Sequence, residues 1–141
     1  MAPQNVENLR AFLKTWEGEP WRLESTAPQT PELSLLDPDV TYEDATLPDH
    51  VGETYRGREG VVRATERWVE PFEWLAVELQ QIVGTGDRLV SIHRFRAKAR
   101  HTGIELEGPV AYAWTFRDGK VVHFRSYRDP EEALEAAGLK A

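Results

Sequence analysis

The chain has no cysteine. That excludes disulfides, thiol catalysis and zinc held by thiolates. It has no apolar run near the roughly 18 residues that a membrane span requires. It also lacks any excess of positive charge. Seventeen Lys and Arg face 24 Asp and Glu, giving a formal net charge of −7, and non-specific nucleic-acid binding needs a basic face. The opening Met1-Ala2-Pro3-Gln4-Asn5-Val6-Glu7 has no basic stretch followed by an apolar one, so no signal peptide is expected and the expected location is the cytoplasm. A Gly-x-Ser-x-Gly elbow is missing, which removes the α/β-hydrolase class. The run Tyr55-Arg56-Gly57-Arg58-Glu59-Gly60 lacks the Gly-Lys-Ser/Thr ending of a phosphate loop and reads as a turn into a helix. His50 and Glu53 offer two ligands on one loop, too few for a metal centre. The sequence implies neither a metal nor a cofactor.

What is present suits one domain spanning residues 1–141. Hydrophobic residues make up 40% and charged residues 29%, as in ordinary soluble proteins. Five Trp, four Tyr and five Phe are enough large rings to line a cavity or to fill a core. Val6, Leu9, Leu13 and Trp16 recur at helical spacing, with Asn5 as the expected N-cap and Gly18 beyond the end. Ser25 to Thr30 reads as a loop. Thr30-Pro31-Glu32 then begins a short helix carrying Leu33, Leu35 and Leu36, stopped by Asp37-Pro38. Val40 to Glu43 is β-prone, and Asp44 to Gly57 reads as a long loop. A helix is expected over about 58–69, with Val61, Val62, Thr65, Trp68 and Val69 on one stripe and Pro71 ending it.

From Phe72 the period changes to two. Strands are expected at about 73–83, 88–100, 104–116 and 121–128, followed by a short helix capped by Asp129. Helices followed by consecutive hairpins predict an α+β fold with an antiparallel sheet. Arg117-Asp118-Gly119 as a three-residue turn sets Trp114 opposite Val122 and Tyr112 opposite Phe124. Thr102-Gly103 as a two-residue turn sets Arg100 opposite Glu105, Lys98 opposite Glu107, Phe95 opposite Val110 and His93 opposite Tyr112. Both registers put His93, Phe95, Tyr112, Trp114, Phe124 and Ser126 on one apolar face. Val121, Ala113, Thr115 and Tyr127 fall on the other, where an apolar patch among charges predicts a homodimer contact.

In order and spacing, Asp37-Pro38-Asp39-Val40, Tyr55 to Gly60, Gly86-Asp87-Arg88-Leu89-Val90, Trp114 to Val122 and Glu132 to Leu139 resemble the SnoaL-like family, which shares the nuclear-transport-factor-2-like fold. The resemblance covers about residues 5–139. It implies a cone-shaped, curved antiparallel sheet with N-terminal helices on its concave face, a cavity between them, and a homodimer. The stretch from about Glu17 to Thr30 is longer than is usual in the family and would reshape the cavity mouth. Asp44 matches the catalytic Asp of the related ketosteroid isomerases, and Tyr112 stands where those enzymes carry an acidic oxyanion donor. Their first-helix Tyr has no counterpart among Phe12, Thr15 and Trp16. The cyclases' His and Asp on the last strand are matched by Phe124 and Ser126.

Two roles are open to each candidate. Asp44 is a general base beside an apolar pocket, or an Asp that forms a turn. His93 is an acid or oxyanion donor, or a buried His satisfied by the Tyr112 hydroxyl. Tyr42, Trp68, Phe72, Phe95, Trp114, Phe124 and Ser126, and beside them Trp74, bound a ligand cavity or belong to the core. The expectation is a protein that binds a small apolar molecule. The alternative is a cofactor-independent isomerase, cyclase or epoxide hydrolase using Asp44 with Tyr112 and His93.

Overall fold

A computed structural model describes residues 2–17, 34–44, 53–84 and 86–139. The expected Ser25–Thr30 loop, the start of the helix at Thr30, and His50 lie outside the described residues. Among the described residues three α-helices and six strands follow in the order α1 (Ala2–Lys14), β1 (Leu36–Asp44), β2 (Glu53–Arg56), α2 (Gly57–Val69), β3 (Phe72–Val83), β4 (Arg88–Ala99), β5 (Glu105–Arg117), β6 (Lys120–Tyr127) and α3 (Pro130–Ala136). The strands form one sheet in the order β2-β1-β6-β5-β4-β3. Neighbours pair antiparallel except β1 with β6, which run parallel. The expected α+β architecture holds, with one parallel pairing that a chain of hairpins does not suggest.

The N-terminal half departs from expectation in three places. Helix α1 begins at Ala2, so Asn5 is inside it rather than capping it. The Asn5 amide instead donates to the Gly86 carbonyl at 3.3 Å and to Asp87 Oδ1 at 3.2 Å, tying α1 to the β3–β4 turn. The expected short helix leaves a 3-10 turn at Ser34 and Leu35, and Leu36 with Asp37-Pro38, expected to end that helix, opens β1 instead. Pro38 has no N–H for the ladder, and the β1–β6 register shifts between Leu36 and Thr41, around it. The Arg58 guanidinium donates to the Leu36 carbonyl at 2.9 and 2.6 Å. Asp44 and Tyr55 belong to paired strands rather than to a loop, because β1 and β2 form a short ladder.

Both predicted hairpin registers slip, each by two residues. The β4–β5 connection is the longer Arg100–Gly103 loop, closed by Ala99 N–H to Ile104 O and Gly103 N–H to Ala99 O. Tyr112 therefore sits opposite Ser91, and His93 opposite Val110. The charged partners become Lys98 with Glu105 and Arg96 with Glu107, with an ion pair from Arg94 to Glu107. The β5–β6 turn is the two-residue Asp118-Gly119, both at positive φ (53° and 81°). Trp114 then faces Phe124, and Tyr112 faces Ser126. A slip of two preserves the faces, because side chains alternate with period two. The exception is an irregularity between Thr115 and Phe116, which pairs Phe116 with Val121. It turns Val121 inward, into the core with Phe116.

The two faces are covered by different helices. On the inner face Leu9, Phe12 and Leu13 of α1 and Ala64 of α2 pack with Val40, Tyr42, Leu89, Val110, Tyr112, Trp114 and Phe124. On the outer face α3 lays Ala133, Leu134 and Ala137 over Val90, Ala111 and Tyr127. Tyr127 is therefore buried by its own chain. With Val121 also turned inward, the outer patch loses two of the four residues first placed there. Trp74 pairs with Lys98 and lies on the outer face, away from the cavity it was expected to line. Among the described residues no helix is long and apolar enough to cross a membrane.

Candidate functional site

The last residues of β1 and the middle of β6 run side by side, Tyr42 beside Phe124 and Glu43 beside Arg125. Alternation sends Tyr42, Asp44, Phe124 and Ser126 to the inner face. Asp44 is only 2% exposed and Ser126 fully buried. The Tyr42 hydroxyl donates to Ser126 Oγ at 2.9 Å, and Ser126 donates to Asp44 Oδ1 at 3.2 Å. Two O–H groups thus point in sequence towards one carboxylate. A buried carboxylate needs such donors, since taking a charge out of water is otherwise costly.

Rings surround this chain. Phe124 stacks on Tyr42 at 4.5 Å and on Trp114 at 4.6 Å. Tyr112 lies 6.3 Å from Phe124 and 5.7 Å from Trp114. Burial holds the Tyr112 phenol well above its ordinary value, and the nearby Asp44 charge adds to the effect. Tyr42 is raised in the same way, by burial first and then by Tyr112 and Asp44. Both tyrosines therefore stay neutral and remain O–H donors.

His93 has a separate polar partner. Ser91 Oγ lies 2.8 Å from Trp114 Nε1 and 2.8 Å from His93 Nε2. An indole N–H can only donate, so Ser91 accepts there and has its own proton for Nε2. The other ring nitrogen, Nδ1, has no hydrogen-bond partner among the described residues. Burial lowers the His93 pKa to about 4. At neutral pH it is a neutral ring, stacked on Trp16 at 5.6 Å and edge-on to Tyr112 at 5.4 Å. Its polar partner is Ser91, not the Tyr112 hydroxyl first expected.

The structure brings Tyr42, Asp44, His93, Tyr112, Trp114, Phe124 and Ser126 together on one face. Phe95 packs at its margin. Trp68 and Phe72 belong to a neighbouring cluster with Leu75, Val77 and Ala97, joined to the first through Trp16 and Phe95. Sequence reasoning missed Ser91 and Tyr55. Ser91 was within reach, since it stands two residues before His93 on the same strand face. Tyr55, 6.1 Å from Tyr42, was hidden in a stretch read as loop. Trp16 was read as part of the helix stripe without a place at the site. Among the described residues no cluster of three or more His, Cys, Asp or Glu is arranged to hold a metal.

No curated protein matches the chain in sequence. Solved structures match across nearly its whole length. A nuclear-transport-factor-2-like protein of unknown function from Burkholderia pseudomallei K96243 is 21% identical with a TM-score of 0.69, covering 95% of this chain and 97% of its own. A candidate SnoaL-like polyketide cyclase from Jannaschia sp. CCS1 is 17% identical with a TM-score of 0.69, covering 98% and 94%. TerC, co-crystallised with polyporic acid, is 19% identical with a TM-score of 0.69, covering 95% and 97%. At these identities the likeness concerns the fold. The SnoaL-like domain model matches residues 31–124, two thirds of the sequence, and the chain belongs to the SnoaL-like family.

Proposed function

We propose that the protein binds a small, apolar, ring-bearing molecule on the inner face of the sheet, where Asp44 meets it as proton acceptor. The carrying observation is the Tyr42–Ser126–Asp44 chain, a buried carboxylate fed by two hydroxyls within a wall of stacked rings. A carboxylate so placed can take a proton from a carbon next to a carbonyl, which is the first step of an isomerisation or cyclisation. Tyr112, a neutral donor beside Asp44, is suited to hold the oxygen on which negative charge develops. His93, a neutral ring with Nδ1 unpartnered among the described residues, is suited to hydrogen bonding there and not to the role of a proton-donating imidazolium. A relative co-crystallised with polyporic acid is compatible with a ring-bearing ligand.

The test uses a panel of small cyclic ketones. Binding is read from Trp16 and Trp114 fluorescence, and proton abstraction from deuterium uptake next to the carbonyl in heavy water. Wild type should show saturable quenching and exchange. Asp44→Asn keeps an acceptor for Ser126, so it should still bind and should lose exchange by about 10²–10⁴-fold. Exchange unchanged in that variant would refute the catalytic role. Binding in both proteins with exchange in neither would leave a non-catalytic ligand-binding domain, the second reading.

The same reading includes a homodimer through the outer face beyond α3. Half-buried Trp74 and Ala76 lie there beside Arg96 and Lys98. Light scattering showing only monomer at micromolar concentration would refute it. A cytoplasmic setting, consistent with a chain without cysteine, completes the proposal and is tested by cell fractionation.

A further inference from the structure

The outer face carries a polar pocket that the inner site does not use. Its rows follow from the sheet register. Arg88, Thr115 and His123 lie abreast on β4, β5 and β6. Two residues along, Arg125 lies abreast of Glu43. The C-terminal end of α3 and the Tyr127 ring wall a cavity of about 230 Å³ there.

The charges are out of balance. Glu43 is the only acid on the lining among the described residues, and both its oxygens are engaged. Oε1 lies 3.5 Å from His123 Nε2, and Oε2 lies 3.5 Å from Arg125 Nη1. His123 is further held by Thr41, whose Oγ1 is 2.6 Å from Nδ1. Arg125 is held with its guanidinium carbon 5.1 Å from the centre of the Tyr127 ring. With Nη1 facing Glu43, its Nε is buried and has no hydrogen-bond partner among the described residues. Arg88 forms no ion pair among the described residues and lines the same cavity. Among the described lining residues two arginines face one acid, while Glu132 of α3 acts on the Tyr127 hydroxyl.

We propose that this pocket binds a small organic carboxylate. Arg125 would hold it through the Nη edge of its guanidinium, and Arg88 would supply the second positive charge. A planar guanidinium edge matches the two oxygens of a carboxylate. The volume far exceeds the roughly 30 Å³ share of one water, so it suits an organic acid better than a halide. The apolar part of the ligand would lie on the Tyr127 ring and the alanines of α3.

The experiment titrates the full chain with benzoate and follows the Arg side-chain Nε–H resonances by NMR. Benzyl alcohol and sodium chloride serve as neutral and simple-ion controls. Benzoate should shift the Arg125 resonance saturably, and neither control should. Arg88→Gln and Arg125→Lys, read by calorimetry, should each weaken benzoate about ten- to a hundredfold, the range for a lost hydrogen bond to a charged group. Arg125→Lys keeps the charge and loses the fork, so full affinity in that variant overturns the role given to the guanidinium edge. Shifts equal with chloride overturn the site. An Arg125 resonance that ignores benzoate and moves with protein concentration also overturns it, since a second copy would then fill the pocket. Asp44→Asn should leave benzoate binding unchanged, which separates this test from that of the inner site.

Discussion

At the scale of single residues, the polar groups of the inner face divide into two sets that answer to different perturbations. His93 is 1% exposed and has a folded pKa lowered from 6.5 to about 4 by burial. Below pH 6.5 the unfolded chain takes up a proton at this ring that the folded protein refuses. Stability is therefore lost as pH falls from 6.5 towards 4, by at most about 3 kcal/mol from this group. The NMR titration of His93 should have its midpoint near 4, and the thermal midpoint of His93→Gln should fall less steeply than that of wild type over this window. A midpoint at 6 or above would contradict the burial argument. The hydroxyl chain responds differently. Tyr42→Phe removes one donor and leaves Ser126 still bonded to Asp44, a loss of about 0.5–1.5 kcal/mol. Ser126→Ala takes the acceptor from a buried Tyr42 hydroxyl and a donor from Asp44 together. It should cost more, about 1–3 kcal/mol, in urea unfolding. Equal costs would mean that the chain is not the connected unit its distances describe.

At the scale of elements, turns and pairings explain how much of the site was legible in the sequence. The period-two alternation of β4, β5 and β6 was enough to group His93, Tyr112, Trp114, Phe124 and Ser126, even though both turns were assigned the wrong length. Each error moved the register by two, which keeps every side chain on its face. Where the error was effectively one residue, at the irregularity beside Phe116, Val121 turned inward instead of outward. The end of the short helix before β1 was placed one residue late, at Leu36, for another reason. Leu33 to Leu36 has helical spacing, but Leu36 gains a strand partner in Val121, more than 80 positions away, which no local pattern reveals. Asp44 was identified through family resemblance alone, and its burial depends on that same long-range pairing. The β5–β6 turn offers a direct check. Gly119 has φ of 81° and open space where a Cβ would stand. Gly119→Ala should therefore cost about 1–2 kcal/mol from backbone strain alone, without changing the benzoate or ketone titrations. A neutral substitution would show that the turn tolerates another geometry.

At the scale of the whole molecule, the sheet is a partition with a separate core on each side. Trp114 and Phe124 belong to the core under α1 and α2, and Leu134 to the core between α3 and the outer face. Removing atoms from either core should cost stability, because cavities form wherever packing is dense. Only the inner one touches the ketone; the outer one lends Tyr127 and Ala137 to the carboxylate pocket. Leu134, 5% exposed against Val90, Ala111 and Tyr127, should lose about 2–5 kcal/mol on replacement by Ala while leaving ketone affinity within a factor of about two. Phe124→Ala should lose about 3–5 kcal/mol and, by unstacking both Tyr42 and Trp114, should also abolish the fluorescence response to ligand. The comparison is made at a temperature where both variants are folded by circular dichroism, so that loss of binding is not loss of the protein. If Leu134→Ala weakened ketone binding as strongly as Phe124→Ala, the two faces would be coupled through the sheet. The separation on which the inner and outer sites are argued would then fail.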